Sequence, residues 1–194
     1  MRLKIVSVGE AVLRQPARPL TAGEIRSAEI QQLIQHMRET VNDAPGVGLA
    51  APQVGFPLQL AVIEDKQEYF AGLTAEQIAE RERQPMPFHV IINPVLHQQP
   101  GDEVEFFEGC LSVPGFTAIV LRSRQVRVLC QDETGTPRII EASGWYARIL
   151  QHEIDHMRGT LYLDRMLSRT FCSLDLHARL WKDKTIAEVK AALA

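Results

Sequence analysis

Residues 143–159, SGWYARILQHEIDHMRG, place His152, Glu153 and His156 in an H-E-x-x-H arrangement. Positions four apart on an α-helix share a face, with roughly 5–6 Å between Cβ atoms, so both imidazoles can grip one cation. Glu153 then lies beside the metal rather than on it, where a general base for water belongs. Ser143 and Gly159 are the expected cap residues. Trp145, Ile149, His152 and His156 form one stripe of this helix, and Tyr146, Leu150, Ile154 and Met157 another. A helix apolar on two sides is buried.

Taken alone, the motif also fits two buried histidines satisfied by carbonyl groups. A catalytic site of this kind needs a third protein ligand and one position left to water. The downstream stretch MRGTLYLDRMLSRTF has no histidine, so that ligand must come from elsewhere. Cys110, in EGCLSVPG (108–115), is the candidate, because a turn of small residues at a strand end can present its sulfur to the helix, and thiolate binds Zn²⁺ or Fe²⁺ well. The alternative for Cys110 is an inert buried thiol. Cys130 shares a strand face with Val126 and Val128 and reads as core. Cys172 has no assignment, and His36, His89, His97 and His177 stand outside any ligand spacing.

Further outward, FHVIINPVL (88–96), EVEFFE (103–108), AIVLR (118–122), QVRVLCQD (125–132) and PRIIEAS (137–143) read as successive strands, with a hairpin turn at 133–135. LQLAVIE (58–64) has strand character too. Ile30, Leu33, Ile34, Met37 and Val41 predict one amphipathic helix over 24–42, with Thr21 and Glu24 as its capping box. Residues 65–87 read as a solvated insertion with one or two helical turns around Ala75–Glu82, and 168–193 as a C-terminal helix. The expected architecture is α+β: antiparallel strands wrapped around a central metal-bearing helix, with an N-terminal and a C-terminal helix, in one domain over 1–194.

Composition is that of an ordinary globular protein. The 194 residues are 45% hydrophobic and 23% charged, with a formal net charge of −3. That charge supplies no drive toward nucleic acid or membrane. No stretch approaches the ~20 apolar residues of a membrane span, and three widely spaced cysteines argue for reduced thiols. A cytoplasmic location is the expectation.

The loop GVGLAAPQ (46–53) lacks both a Gly-Lys-Ser/Thr and a G-x-G-x-x-G context, which rules out a nucleotide cradle. Its glycines let backbone approach a ligand closely, and Gln53 offers a side-chain amide as an oxyanion donor. Together GVGLAAPQ, EGCLS and QHEIDH resemble the three motifs of the peptide deformylases, in that family's order, and the likeness runs from VGEAVLR to LYLDRM. The insertion and SGWYARILQHEIDH look closer to the subgroup shared by some bacteria and eukaryotic organelles than to the shorter bacterial form.

The resemblance implies a metal-dependent amide hydrolase that takes the formyl group off the N-terminal formyl-methionine of newly made proteins. It implies Cys110, His152 and His156 as metal ligands, Glu153 as acid/base, and Gln53 with the Leu111 N–H facing the formyl oxygen. Val47, Gly48, Phe106, Gly109, Trp145, Arg148 and Ile149 are the implied substrate-binding positions. Fe²⁺ is the implied metal, with Zn²⁺, Ni²⁺ or Co²⁺ able to take its place. The implied partners are N-formyl-methionyl nascent chains and, transiently, the ribosome. Two rival readings remain: an endopeptidase, which H-E-x-x-H alone favours, and a silent relative that binds nascent chains. Intact ligands, Glu153 and Gln53 weigh against the second.

Overall fold

The computed structural model describes residues 1–99 and 101–194. Its helices are α1 (Ala22–Ile25), α2 (Ala28–Asp43), α3 (Ala75–Glu80), α4 (Gly144–Met157), α5 (Leu174–Leu180) and α6 (Ile186–Ala192). Its strands are β1 (Gly48–Ala50), β2 (Leu60–Asp65), β3 (Met86–Gln98), β4 (Glu103–Cys110), β5 (Val113–Ser123), β6 (Gln125–Gln131), β7 (Pro137–Ser143) and β8 (Cys172–Ser173). Five form an antiparallel sheet in the order β1-β2-β3-β6-β7, and a second sheet runs β4-β5-β8. The α+β architecture expected from the sequence is the one observed.

Strand alternation decides which helix covers which face. Leu60, Val62, Val90 and Ile92 point to Leu33, Ile34, Met37 and Val41 of α2. Their neighbours Ala61, Ile63 and Ile91 point the other way, to Ala147, Leu150, Ile154 and Met157 of α4. Helix α4 therefore lies between the two sheets, apolar toward the large one. Cys130 belongs to that core, as its strand pattern requires.

Several local expectations are corrected. The Thr21–Glu24 capping box exists, but it starts the four-residue α1, and Ser27 caps the long helix by accepting from the Ile30 N–H. The C-terminal helix is two helices, because Ser173 and Thr185 each cap a fresh start. Ser143 precedes α4 but makes no side-chain cap.

The insertion is more than a surface excursion. The Trp145 N–H donates to the Arg81 carbonyl at 2.8 Å, and Gly144 sits at φ +56° where a Cβ would meet Arg81 O and Glu82 Cβ at 2.5 Å. Only glycine fits there. The Arg83 guanidinium donates to Asp65 at 2.7 and 2.8 Å and lies over Phe70 and Trp145. Residues 81–83 thus pack against the start of α4.

Candidate metal centre

Strand β4 ends at Cys110, which pairs with Val113 across the tight turn made by Leu111 and Ser112, next to a register shift at Gly109. This turn delivers the sulfur to α4. Cys110 Sγ lies 3.3 Å from His156 Nε2, and the ligand atoms of Cys110, His152 and His156 all fall within 4.8 Å of one another. The two imidazoles stand edge to face, centroids 5.0 Å apart. A helical i, i+4 pair and a distant strand end therefore converge, as the sequence requires of a metal site.

The donor set fits a divalent cation on three observations. His152 Nδ1 is 3.0 Å from Glu108 Oε2, which leaves Nε2 for a metal, the carboxylate–histidine arrangement that orients such ligands. Burial lowers the pKa of His156, and His152 and Arg122 push the same way, so it stays neutral and keeps its lone pair. Burial opposes charge on His152, yet the Cys110 sulfur and Glu108 outweigh it and raise that histidine. The field at this point asks for positive charge, and a divalent ion satisfies it.

Beside the donors, Glu153 is buried, with Oε2 free of any hydrogen-bond partner. Burial lifts its carboxyl to about 7. Gly48 makes room for it, since a Cβ there would sit 2.3 Å from Glu153 Oε1. Gln53 is held by its oxygen, which accepts from the Ala50 N–H at 2.9 Å, so its Nε2 faces Ser112 Oγ at 3.3 Å and Cys110 Sγ at 3.5 Å.

These groups open onto a cleft of about 580 Å³. Val47, Gly48, Gln53, Gly109, Cys110, Leu111, Trp145, Arg148, Ile149, His152 and Glu153 all line it. Phe106 does not, and stands behind Trp145 with ring centroids 6.5 Å apart. His156 is buried beneath the cleft.

Under the candidate ligands lies a polar layer that no sequence motif announces. Glu108 accepts from Arg122 at 2.9 and 3.0 Å and from Arg148 at 2.7 Å on Oε1, while its Oε2 meets His152. Arg122 also donates to Asp155, and Arg165 closes on Asp155 from the rim. Arg148 donates further to the carbonyls of Val120 and Val104, which ties α4 to β5 and β4. Burial alone would raise Glu108; the bond to His152 and the Arg122 charge hold it well below the usual carboxylate range. Burial draws Arg148 down to about 10, still charged at neutral pH. One signal was available: Glu108 lies two residues before Cys110 in a strand, hence on its face.

A sulfur and two imidazoles, open to a cleft and flanked by a buried carboxyl, are the donor set of a mononuclear hydrolytic metal centre rather than a closed structural one. The chain belongs to the polypeptide deformylase family, whose profile matches residues 2–171. It is 47% identical over 172 residues to peptide deformylase 1A, chloroplastic/mitochondrial, of Arabidopsis thaliana, covering 89% of this chain but only 64% of the plant protein. It is 44% identical over 191 residues to peptide deformylase 1 of Streptomyces coelicolor, covering 98% of this chain and 85% of that one. The Met-Ala-Ser-bound class I type b peptide deformylase of Acinetobacter baumannii superposes with a TM-score of 0.75 at 29% identity, over 86% of this chain and 99% of that one. Bacterial and organellar relatives together match the subgroup resemblance.

Proposed function

We propose that this protein hydrolyses the formamide of N-formyl-methionyl polypeptides, releasing formate and a free N-terminal methionine. The convergence of Cys110, His152 and His156 on an open cleft beside buried Glu153 carries this reading. We assign those three as the ligands of Fe²⁺, with Zn²⁺, Ni²⁺ or Co²⁺ accepted by the same donors. A divalent cation there acidifies water and polarises a carbonyl.

The chain's own groups do the rest. Glu153 takes a proton from the attacking water at its carboxylate and returns it to the departing amine nitrogen. Gln53 Nε2, pinned by the bond from Ala50, and the Leu111 N–H donate to the oxygen on which negative charge develops. Such donors cost no reorganisation, because the fold has oriented them already.

The walls made by Val47, Gly48, Gly109, Trp145, Arg148 and Ile149, with Phe106 behind, form the slot for the unbranched thioether side chain. The Acinetobacter relative that carries Met-Ala-Ser supports a peptide of this kind. The backbone at 46–48 and 113–115 pairs with the extended substrate through main-chain hydrogen bonds. Residues 1–194 act as one catalytic unit in the cytoplasm, meeting nascent chains in transient contact with the ribosome. No helix among the described residues is long and apolar enough to cross a membrane.

The test is anaerobic protein incubated with formyl-Met-Ala-Ser and, separately, with unformylated casein. Formate from the first without fragments from the second is expected; casein cleavage would mean an endopeptidase. Glu153→Ala should keep its metal and lose turnover, whereas Cys110→Ala should lose both.

A further inference from the structure

The two groups assigned to the formyl oxygen stand on different sheets. Gln53 follows β1 of the five-stranded sheet, and Leu111 lies between β4 and β5 of the three-stranded one. No strand pairing joins these sheets among the described residues. Direct links between the two loops run through side chains: Gln53 Nε2 reaches Ser112 Oγ at 3.3 Å and Cys110 Sγ at 3.5 Å, and the Leu111 side chain packs where Gly46 lacks a Cβ. The N-terminal segment crosses the same gap with its backbone. The Val6 N–H donates to the Gln53 carbonyl at 2.8 Å, and the Val8 N–H donates to the Ser112 carbonyl at 2.7 Å. This segment is held at both ends, since the Leu3 N–H donates to Thr40 Oγ1 of α2 at 2.9 Å and Leu13 is fully buried. Between them Ile5 packs on the α2 core, as Leu111 does, and lines the cleft.

We propose that residues 6–8 are a brace whose two amide bonds fix the spacing between Gln53 and Leu111, which makes Val6 and Val8 positioning residues for the oxyanion. This rests on the deformylase reading above. Donors aimed at a developing charge act through being oriented beforehand, so their value depends on what holds them. Here the holders belong to two sheets that share no ladder, and one segment bonds to both loops at once. Val8 contributes through its main chain, because its side chain is 43% exposed. A turn then carries the segment away: the Glu10 N–H closes on the Ser7 carbonyl at 3.2 Å, with Gly9 at φ +110° in the third place. Proline suits the second place of such a turn, the one Val8 occupies. Val8→Pro therefore deletes the donor and keeps the turn.

The experiment measures formyl-Met-Ala-Ser hydrolysis by the metal-loaded protein, per folded molecule. In Val8→Pro, kcat should fall about thirtyfold, less than the loss of a whole oxyanion donor. KM and the calorimetric affinity for the product Met-Ala-Ser should stay within about twofold, the mark of an interaction made only in the transition state. Val8→Ala keeps the N–H and should rescue turnover, and Lys4→Pro, at an exposed residue whose N–H bonds to nothing among the described residues, should leave it unchanged. An unchanged kcat in Val8→Pro, a loss carried by KM or by the folded fraction, or an equal loss in Val8→Ala or Lys4→Pro overturns the brace. Amide exchange of the metal-free wild type is a readout free of turnover and of any variant. The Val6 and Val8 amides should exchange at least about tenfold more slowly than that of Lys4; equal exchange also overturns the brace. If the wild type turns over no formyl peptide, the functional reading fails instead, and exchange alone decides whether the brace exists.

Discussion

Glu108 and Asp132 are both carboxylates engaged in four side-chain hydrogen bonds, arginine among the donors, yet they are assembled in opposite ways. All of Asp132's partners, Thr134, Thr136 and Arg138, lie within six residues, inside one hairpin. Glu108's partners arrive 14, 40 and 44 residues later, from β5 and α4. The hairpin carboxylate is satisfied as soon as its turn closes. The one under the metal centre is satisfied only when α4 docks between the two sheets, so the ligand geometry and the tertiary fold form together.

Removing Arg122 should expose this difference most strongly. Arg122→Met leaves Glu108 with two fewer bonds and Asp155 without its inner partner, in surroundings where both are nearly solvent-free. Breaking a buried pair from one side costs about 3–5 kcal/mol, read as a lower urea midpoint. Metal uptake should weaken with it, because the Glu108 carboxylate that orients His152 is then held by Arg148 alone among the arginines. Arg138→Met at the hairpin should move the urea midpoint far less, since that side chain is 64% exposed. Similar losses in both variants would erase the distinction drawn here.

That same distinction explains what could be read from the chain alone. The grouping of Cys110, His152 and His156 was legible because the two histidines fall within one helical turn and the cysteine ends a recognisable strand. The hairpin at 133–135 and the core alternation of LQLAVIE were legible for the same reason: their periods are local. Glu108, Arg148 and the docking of residues 81–83 were not, because their partners lie tens of residues away. Arg148 in particular reads as a wall residue, and it does line the cleft, but its guanidinium is spent on Glu108 and two carbonyl groups. The division of 168–193 into two helices could have been found from Thr185 and Glu188, whose spacing is that of a capping box.

Two glycines, one in each region, oppose a side chain for different reasons. Gly48→Ala pushes a methyl group into Glu153 Oε1, while nothing else about a strand position objects to alanine. Turnover of formyl-Met-Ala-Ser should fall about a hundredfold, the scale of a displaced catalytic group, with thermal stability nearly retained. Gly135→Ala sits at φ +83° with its nearest neighbours at 3.8 Å, so the obstacle is backbone conformation alone. It should cost about 1–2 kcal/mol of stability and leave turnover unchanged. Activity and stability would then separate between the two regions.

Acid titration gives a smaller effect with a definite sign. Hydrogen bonds from Thr134, Thr136 and Arg138 outweigh burial and lower Asp132 to about 2 from the model-peptide 3.8. A depressed carboxyl contributes stability that is fully present above the unfolded value and lost as pH falls through the folded one. The gap in melting temperature between wild type and Asp132→Asn should therefore be constant above about pH 5 and narrow between about pH 4 and 2. A gap that widened on acidification would show that the hairpin bonds do not favour the charged form.

The smallest effect belongs to the C-terminal helix, where the local kind of carboxylate recurs on an exposed side chain. Glu188 accepts from the Thr185 N–H at 2.8 Å and hydroxyl at 3.0 Å, and also meets Lys184 at 3.4 Å. Lys184→Ala removes only the exposed ion pair, whose worth is largely lost to solvent screening, so the thermal midpoint should not move measurably. Glu188→Ala removes half of a capping box and should fray α6, detected as faster amide exchange confined to 185–193. Further unravelling is opposed from the other face, where Val189 is fully buried and Lys190 reaches Glu105 at 2.8 and 2.9 Å. Fraying that spread to β4 in Glu188→Ala would mean that the cap, and not this anchor, holds the helix against the second sheet.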